Sequence, residues 1–414
     1  MSGASTTGEP RRRGLLDGIR VLSVDNYFAG NYGPQLLAMH GADVAKIEQP
    51  DGGDPLRTDA PYLGDAAGGY SHGELRLMRG KSSVALDFRQ PAGRAVLRRL
   101  VERADVFWTN LRPAAALRAG IDPDTVQAIN PRLVYASLSG FGLPAAQPTP
   151  FADEPAFDII IHALTGLMTR NADPDGTPHY NGVAVADQVG SLFAVCGVLM
   201  ALLARERGAD AARVDVAMFD SMIALNEKTF TLFGMDRVVR PPRISATNSP
   251  FGAYRGRDGH IVIGVGGTVL WKRFCAALGR EDLVERPDLD SGVKRVKVER
   301  TVIRPLIEDW LSTRTVEQAS RILLEHGVPA SPILEVDSPV LREQALARGV
   351  AHEVPLPDGS RIALVDSPIR LPGGPELEVG LPSALGEDTD RVLRDWLAMP
   401  DAEIAALRRD GVLK

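Results

Sequence analysis

In the first third of the chain, short apolar runs alternate with longer stretches of helical spacing. Residues 19–24 (IRVLSV) read as a buried strand, 32–40 as a helix, 43–48 (DVAKIE) as a second strand and 83–88 as a third. A helix over 92–103 leads directly into a strand over 105–109. A short helix over 122–129 and a strand over 133–137 follow. Strands alternating with helices of this length predict βαβ units and a mostly parallel sheet, hence an α/β fold. After Val24 come the residues DNYFAGNYG, which lack GxGxxG spacing. That argues against a dinucleotide cofactor at the first strand–helix turn.

From 151 to 224 the pattern becomes helical, with one strand-like segment at 212–217. It contains GVAVADQVGSLFAVCGVLMALLARERG, where Leu192, Val195, Cys196, Leu199, Leu202 and Leu203 recur at helical spacing over 188–207. Asp187 stands at the junction with the apolar run before it. As an N-cap it would be surrounded by backbone N–H groups and the positive end of the helix dipole, a setting that keeps a carboxylate ionised. The same setting could steady negative charge on a group bonded to it. An ordinary cap and a reactive carboxylate are both open at this point. After a Pro- and Arg-rich connection at 237–250, a strand pair over 252–265 turns at 257–259, and helices follow at 269–278, 299–311 and 316–326. Residues 228–325 therefore read as a second, smaller α/β unit. A helix over 337–348, a short strand at 362–364 and a helix over 388–397 complete the chain.

The length of 414 residues allows two or three domains, and 44% hydrophobic residues are ample for their cores. A net charge of −6 argues against a nucleic-acid partner. The two cysteines, Cys196 and Cys275, lie in apolar helical stretches without metal-ligand spacing, as expected of core residues in a reduced, cytoplasmic protein. Residues 1–14 are polar, lack the apolar core of a signal peptide, and read as a disordered arm. The longest apolar run, 191–204, is too short to span a bilayer comfortably, so no membrane partner is expected.

Several segments, taken in order, resemble the class III CoA-transferase family, which includes formyl-CoA and carnitine CoA-transferases and the related α-methylacyl-CoA racemases. They are LLDGIRVLSVDNYFAGNYGPQLLAMHGADVAKIEQPDGGDPLR, RGKSSVALDFRQPAGRAVLRRLVERADVFWTNLRPAAALRAGI, NPRLVYASLSGFG, FDIIIHALTGLM, GVAVADQVGS, RVDVAMFDSMIALN, SPFGAYRGRDGHIVIGV, HGVPASPILEV and LGEDTDRVLRD. Together they span roughly residues 15 to 400. The resemblance implies a Rossmann-like large domain (15–227, completed by 326–414) with a smaller inserted domain (228–325), and two chains interlocked as a homodimer. It also implies acyl-CoA and a free carboxylic acid as substrates, with no permanently bound cofactor and no metal.

Residue by residue, the resemblance places the catalytic carboxylate at Asp187, which would attack a thioester carbonyl. It places Arg89, Arg112 and Arg118 against the phosphates or adenine of CoA, which suits guanidinium groups, and Leu86 and Ala29 as backbone lining of the same path. Where some relatives carry a basic residue after the KIE strand, this chain has Gln49. Racemases of the family have a His immediately before the Asp of the FDIII segment. Here Phe157 stands there, removing one of the two bases racemisation needs. His162, five residues on, reads as a packing or hydrogen-bonding residue. Formyl-CoA transferase has a Gln where this chain has Phe28, so Phe28, Phe157 and Tyr180 suggest an acyl pocket with apolar walls. A racemase or isomerase using Asp187 as base, and a catalytically silent acyl-CoA-binding protein, are the alternatives.

Overall fold

The computed structural model describes residues 14–414 except 65–68, 145–148, 153, 174, 211, 240–244, 246, 357 and 371–379. The proposed arm at 1–14 lies almost wholly outside the described residues. The chain divides into two units, one of 1–165, 182–227 and 346–414, the other of 166–181 and 228–345.

In the larger unit six strands form one sheet: β1 (Arg20–Val24), β2 (Asp43–Glu48), β3 (Ser82–Ala85), β4 (Val106–Thr109), β5 (Val134–Ser139) and β6 (Arg213–Ala217). Their order is β3-β2-β1-β4-β5-β6 and every pairing is parallel. Leu22 pairs with Ala45 on one side and Phe107 on the other, which fixes the register at the centre. β1 through β5 are almost wholly buried, the condition of a sheet covered on both faces. The strand order reverses between β1 and β4, and ligands of such sheets bind at the carboxyl ends of the strands at that reversal.

Helix α1 (Tyr27–Met39) begins five residues before the sequence pattern suggested. Its first turns, rich in Gly and Asn and interrupted by Pro34, read as loop but are held by packing. A Cβ on Gly33 would lie 2.3 Å from the Trp108 ring, so only glycine lets the helix approach β4 this closely. Other helices of this unit include α2 (Pro91–Val101), α3 (Pro113–Ala119), α4 (Asp158–Leu164), α5 (Val185–Glu206) and α6 (Met218–Leu225). The C-terminal segment returns to the same core through α7 (Thr389–Leu397), whose Val392, Leu393 and Trp396 pack with Leu22, Leu86 and Phe107. The Thr389 hydroxyl accepts the Ala85 N–H at 3.0 Å, which ties α7 to β3.

The long helix α5 departs from the expected face. Ala186, Gly190, Ala194, Val198 and Ala201 are buried, whereas Leu192, Leu199 and Leu203 are exposed. Small residues bring the helix close to the sheet: a Cβ on Gly197 would meet Val214 at 2.5 Å. Of the spaced residues Val195 and Leu202 are buried as expected, whereas Leu192, Leu199 and Leu203, with Phe193 and Met200, point away from this unit's core. α5 is, among the described residues, the one helix long and apolar enough to cross a membrane by length and composition. Its small-residue face is occupied by the sheet. Cys196 is exposed on it, not buried as expected; Cys275 is buried.

The smaller unit has a three-stranded antiparallel sheet of Phe251–Arg255, His260–Gly264 and Ala330–Pro332. Trp271, Phe274, Ile307, Leu311 and Leu323 form its core. The strand at Ala330–Pro332 completes that sheet, and the unit runs on to Ala345, beyond the expected 325.

Candidate active site

Asp187 is not the N-cap. α5 starts at Val185 with Ala184 in the cap position, so Asp187 is its third residue. The cap comes from another helix: Asp158, first residue of α4, accepts the backbone N–H of Ala186 at 2.7 Å and of Asp187 at 3.3 Å. The first N–H groups of α5 are therefore capped by a second carboxylate, and Asp187, inside the first turn, has no cap to make. The helix dipole, worth about 0.3–1 kcal/mol at an exposed terminus, remains. Burial outweighs it: the Asp187 carboxyl is pushed up to about 7, by burial first and then by the negative charge of Asp158. The expectation of a carboxylate held firmly ionised is overturned. At neutral pH the group is poised between its two forms.

Two further contacts fix this corner. Ser191 Oγ, one turn along α5, lies 2.7 Å from the carbonyl oxygens of both Ala29 and Asp187 and shares its one proton between them. That bond ties α1 to α5 and occupies the Ala29 carbonyl. On α4, buried His162 places Nε2 3.3 Å from Asp158 Oδ2. His162 thus packs behind Asp158 with its ring nitrogen near one carboxylate oxygen.

The residues proposed for the acyl pocket separate. Phe157 occupies the cap position of α4, is 60% exposed, and meets Tyr27 edge-to-face at 5.9 Å and 87°. Phe28 packs in a small cluster with Leu56, Leu77 and Met78, its ring 5.7 Å from Tyr32 and 5.2 Å from the Arg76 guanidinium. Tyr180 belongs to the smaller unit, where it is partly exposed.

The residues expected to meet CoA lie on other segments. Arg89 follows β3, exposed and paired with Asp87 at 2.8 Å. Arg112 precedes α3 directly after β4, and Arg118 closes α3; both are exposed. All three arginines stand on segments leaving the carboxyl ends of β3 and β4. The Leu86 side chain is fully buried, its N–H donates to the Glu48 carbonyl at 2.9 Å, and it bridges to Leu413.

Beside the reversal point lies a buried charge network that sequence reasoning missed. Lys46 on β2 pairs with Asp25 at 2.5 Å and Asp54 at 2.9 Å, and Ser23 Oγ donates to Asp25. Arg57 pairs with Glu48 at 2.7 Å and Glu74 at 2.8 Å. These partners overcome burial, holding Lys46 above its ordinary value, Asp54 below its own, and Glu48 down at about 2. Lys81, whose ammonium bonds to the carbonyl and side chain of Asn31 at 3.2 and 2.6 Å, is instead pushed down to about 7 by burial. Among the described residues no group of three or more His, Cys, Asp or Glu could hold a metal ion.

A parallel sheet with a reversal point, arginines beside its carboxyl edge and a poised carboxylate at a helix start are the parts of an α/β enzyme for an anionic ligand. The model of CoA-transferase family III matches residues 16–389, and the chain belongs to that family. It is similar to acetyl-CoA:oxalate CoA-transferase of Acetobacter aceti, at 31% identity over 96% of this chain and 99% of that protein. It is also similar to succinate–glutarate CoA-transferase of Agrobacterium fabrum (32%, over 94% and 97%). Among solved structures it resembles a CAIB/BAIF family protein from Brucella suis, with a TM-score of 0.78 and 27% identity over 93% of this chain and all of the other. The chain is a CoA-transferase acting between an acyl-CoA and a carboxylic acid.

Proposed function

We propose that Asp187 is the nucleophile that carries the transfer. Its carboxylate attacks the thioester carbonyl of the donor, forming an aspartyl–acyl anhydride and releasing CoA thiolate. The thiolate attacks the aspartyl carbonyl, giving an aspartyl–CoA thioester and freeing the first acid. The acceptor carboxylate attacks that thioester, and the displaced thiolate takes the new acyl group from the resulting anhydride, regenerating Asp187. One thioester replaces another, so the energy of the bond is conserved. The observation that carries this reading is the meeting of Asp187 and Asp158 at the start of α5, where burial and like charge leave Asp187 a reactive base near neutrality.

In this proposal Arg89, Arg112 and Arg118 bind the phosphates or adenine of CoA, and the backbone at Leu86 and Ala29 lines its path. Their support is position: exposed guanidinium groups beside the carboxyl ends of β3 and β4. Phe28 and Phe157 contribute apolar surface to the acyl site. The working enzyme is a cytoplasmic homodimer with the smaller domain inserted in the larger. Exposed Leu192, Phe193, Leu199, Met200 and Leu203 on α5 support a second chain covering that face.

A second reading has one observation in its favour. A carboxyl titrating near 7 is also well matched to general-base removal of an α-proton. Trapping separates the two. Hydroxylamine added during turnover with an acyl-CoA converts an acylated Asp187 to a hydroxamate, seen by peptide mass spectrometry. Deuterium wash-in at the α-carbon with no such adduct supports the isomerase and defeats the transferase mechanism. The variant Asp187→Ala is expected to bind CoA with near wild-type affinity and to transfer none.

A further inference from the structure

Tyr27 has a backbone φ of +58°, in the left-handed region that residues other than glycine avoid. The residue is 48% exposed. The conformation is held from below by buried charge. The Tyr27 N–H donates to Asp54 Oδ1 at 3.3 Å, while Asn31 Nδ2 donates to the Tyr27 carbonyl and to Asp54 Oδ2, both at 2.7 Å. Asp54 is itself locked to Lys46. A costly backbone geometry kept in place by a buried ion network, with an aromatic ring turned outward, points to a use for that ring.

Its place in the fold suggests which use. α1 is tied to the first turns of α5 through the Ala29 carbonyl and Ser191, and α4 through Asp158 and the Asp187 N–H. Tyr27 stands two residues before Ala29, and Phe157 one before Asp158. The edge-to-face pair therefore lies where the two ties converge, at the Asp187 end of α5. The three converging segments, 26–35, 156–165 and 182–192, contain no Lys or Arg. Their ionisable acids are Asp158 and Asp187, and their one His, His162, is buried behind Asp158. A second carboxylate on the substrate would meet like charge and aromatic surface here; the cations that contact segment 26–35, Lys81 on Asn31 and Arg76 over the Phe28 ring, are held on those partners.

We propose that Tyr27 and Phe157 form an aromatic wall that selects, as the acid receiving CoA, a monocarboxylic acid with an aryl or branched-alkyl body. This rests on the transferase reading of Asp187 and specifies its substrate class. The acids named in the two curated relatives, oxalate, succinate and glutarate, are dicarboxylic, so the proposal separates this chain from them.

The test uses the full-length enzyme, acetyl-CoA as donor, and phenylacetate, isovalerate, succinate and oxalate as acceptors, with the new acyl-CoA measured by mass spectrometry. The expected kcat/KM for phenylacetate or isovalerate exceeds that for either dicarboxylate by about tenfold or more. Tyr27→Gly and Phe157→Ala are each expected to lower that ratio about fivefold or more, and Tyr27→Phe to keep it within about twofold. Glycine accepts the left-handed backbone, so Tyr27→Gly should melt at or above the wild-type temperature and its loss of selectivity reports the ring. Preference for succinate or oxalate, or an unchanged ratio in both truncations, overturns the proposal while leaving the transferase intact. A trapped Asp187 adduct with neither apolar acid accepted does the same. Failure of every acceptor together with no adduct at Asp187 overturns the transferase reading and this proposal with it.

Discussion

Two clusters of carboxylates lie in the larger unit, and burial acts on them with opposite outcomes. Around Lys46 and Arg57, Asp54 and Glu48 each face a cation, and both sit below their ordinary values. At the start of α5, Asp187 faces Asp158, and burial pushes it up to about 7. Desolvation opposes ionisation at both places; the sign of the nearest partner decides the result. The compensated cluster anchors the strand ends and the start of α1. The uncompensated pair holds a carboxyl that is partly ionised at working pH, and its ionised form is the one that can attack a thioester. Asp158 links the two demands: it supplies the helix cap that Asp187 would otherwise have given, and its charge keeps Asp187 from settling as an inert anion.

The sharpest way to break this comparison is to remove the cation from the compensated side. Lys46→Met leaves Asp25 and Asp54 buried without their shared ammonium. It should cost about 3–5 kcal/mol of stability in denaturant unfolding. A loss well under 1 kcal/mol would mean that the network is not what holds this edge.

The uncompensated side should respond with the opposite sign. Asp187 ionises near 3.8 when unfolded and near 7 when folded. Folding therefore takes up a proton between those values, and stability falls as pH rises through that window. Asp187→Asn removes this penalty. It should be more stable than wild type by about 1–2 kcal/mol at pH 8, a figure discounted for partial exposure, with the advantage vanishing towards pH 4. Glu48 behaves in reverse: lowered from 4.5 to about 2, its contribution is complete above 4.5 and is lost as pH falls towards 2. Thermal melts across pH 3–8 check both signs. A variant less stable than wild type at pH 8 would make Asp187 a structural residue.

Much of the architecture could be read from periodicity, because a sheet covered on both faces forces near-continuous apolar strands such as 21–24 and 134–138. Helix faces were harder. α5 is apolar all round, so leucine spacing could not show that its small residues, not Leu192 and Leu199, meet the sheet. Asp187 itself was visible at its junction, but its environment was not: Asp158 is 29 residues away in sequence, and only the fold brings its oxygen to the Asp187 N–H. A signal for it existed, since Asp158 follows Phe157 directly in the FDIII segment. Tyr27 gave none, as no local pattern reports a left-handed tyrosine held by an aspartate 27 residues on. Long-range pairing of polar groups is what a single sequence conceals.

The finest test of the comparison changes one charge and nothing else in the shape. In Asp158→Asn the amide oxygen can still accept the N–H groups of Ala186 and Asp187, so the start of α5 stays capped while the like charge disappears. The acid limb of kcat/KM, set by ionisation of Asp187, should move to lower pH by a fraction of a unit. It should stop short of the ordinary carboxylate range, because burial is the first cause of the shift and remains. At pH 6 the rate should therefore rise about two- to fivefold, with little change at pH 8, where Asp187 is largely ionised in both proteins. An unmoved limb would remove Asp158 as a source of the shift. A limb moved upwards would mean that the Asp158 carboxylate does not raise Asp187, and the contrast between the two clusters would then be one of degree.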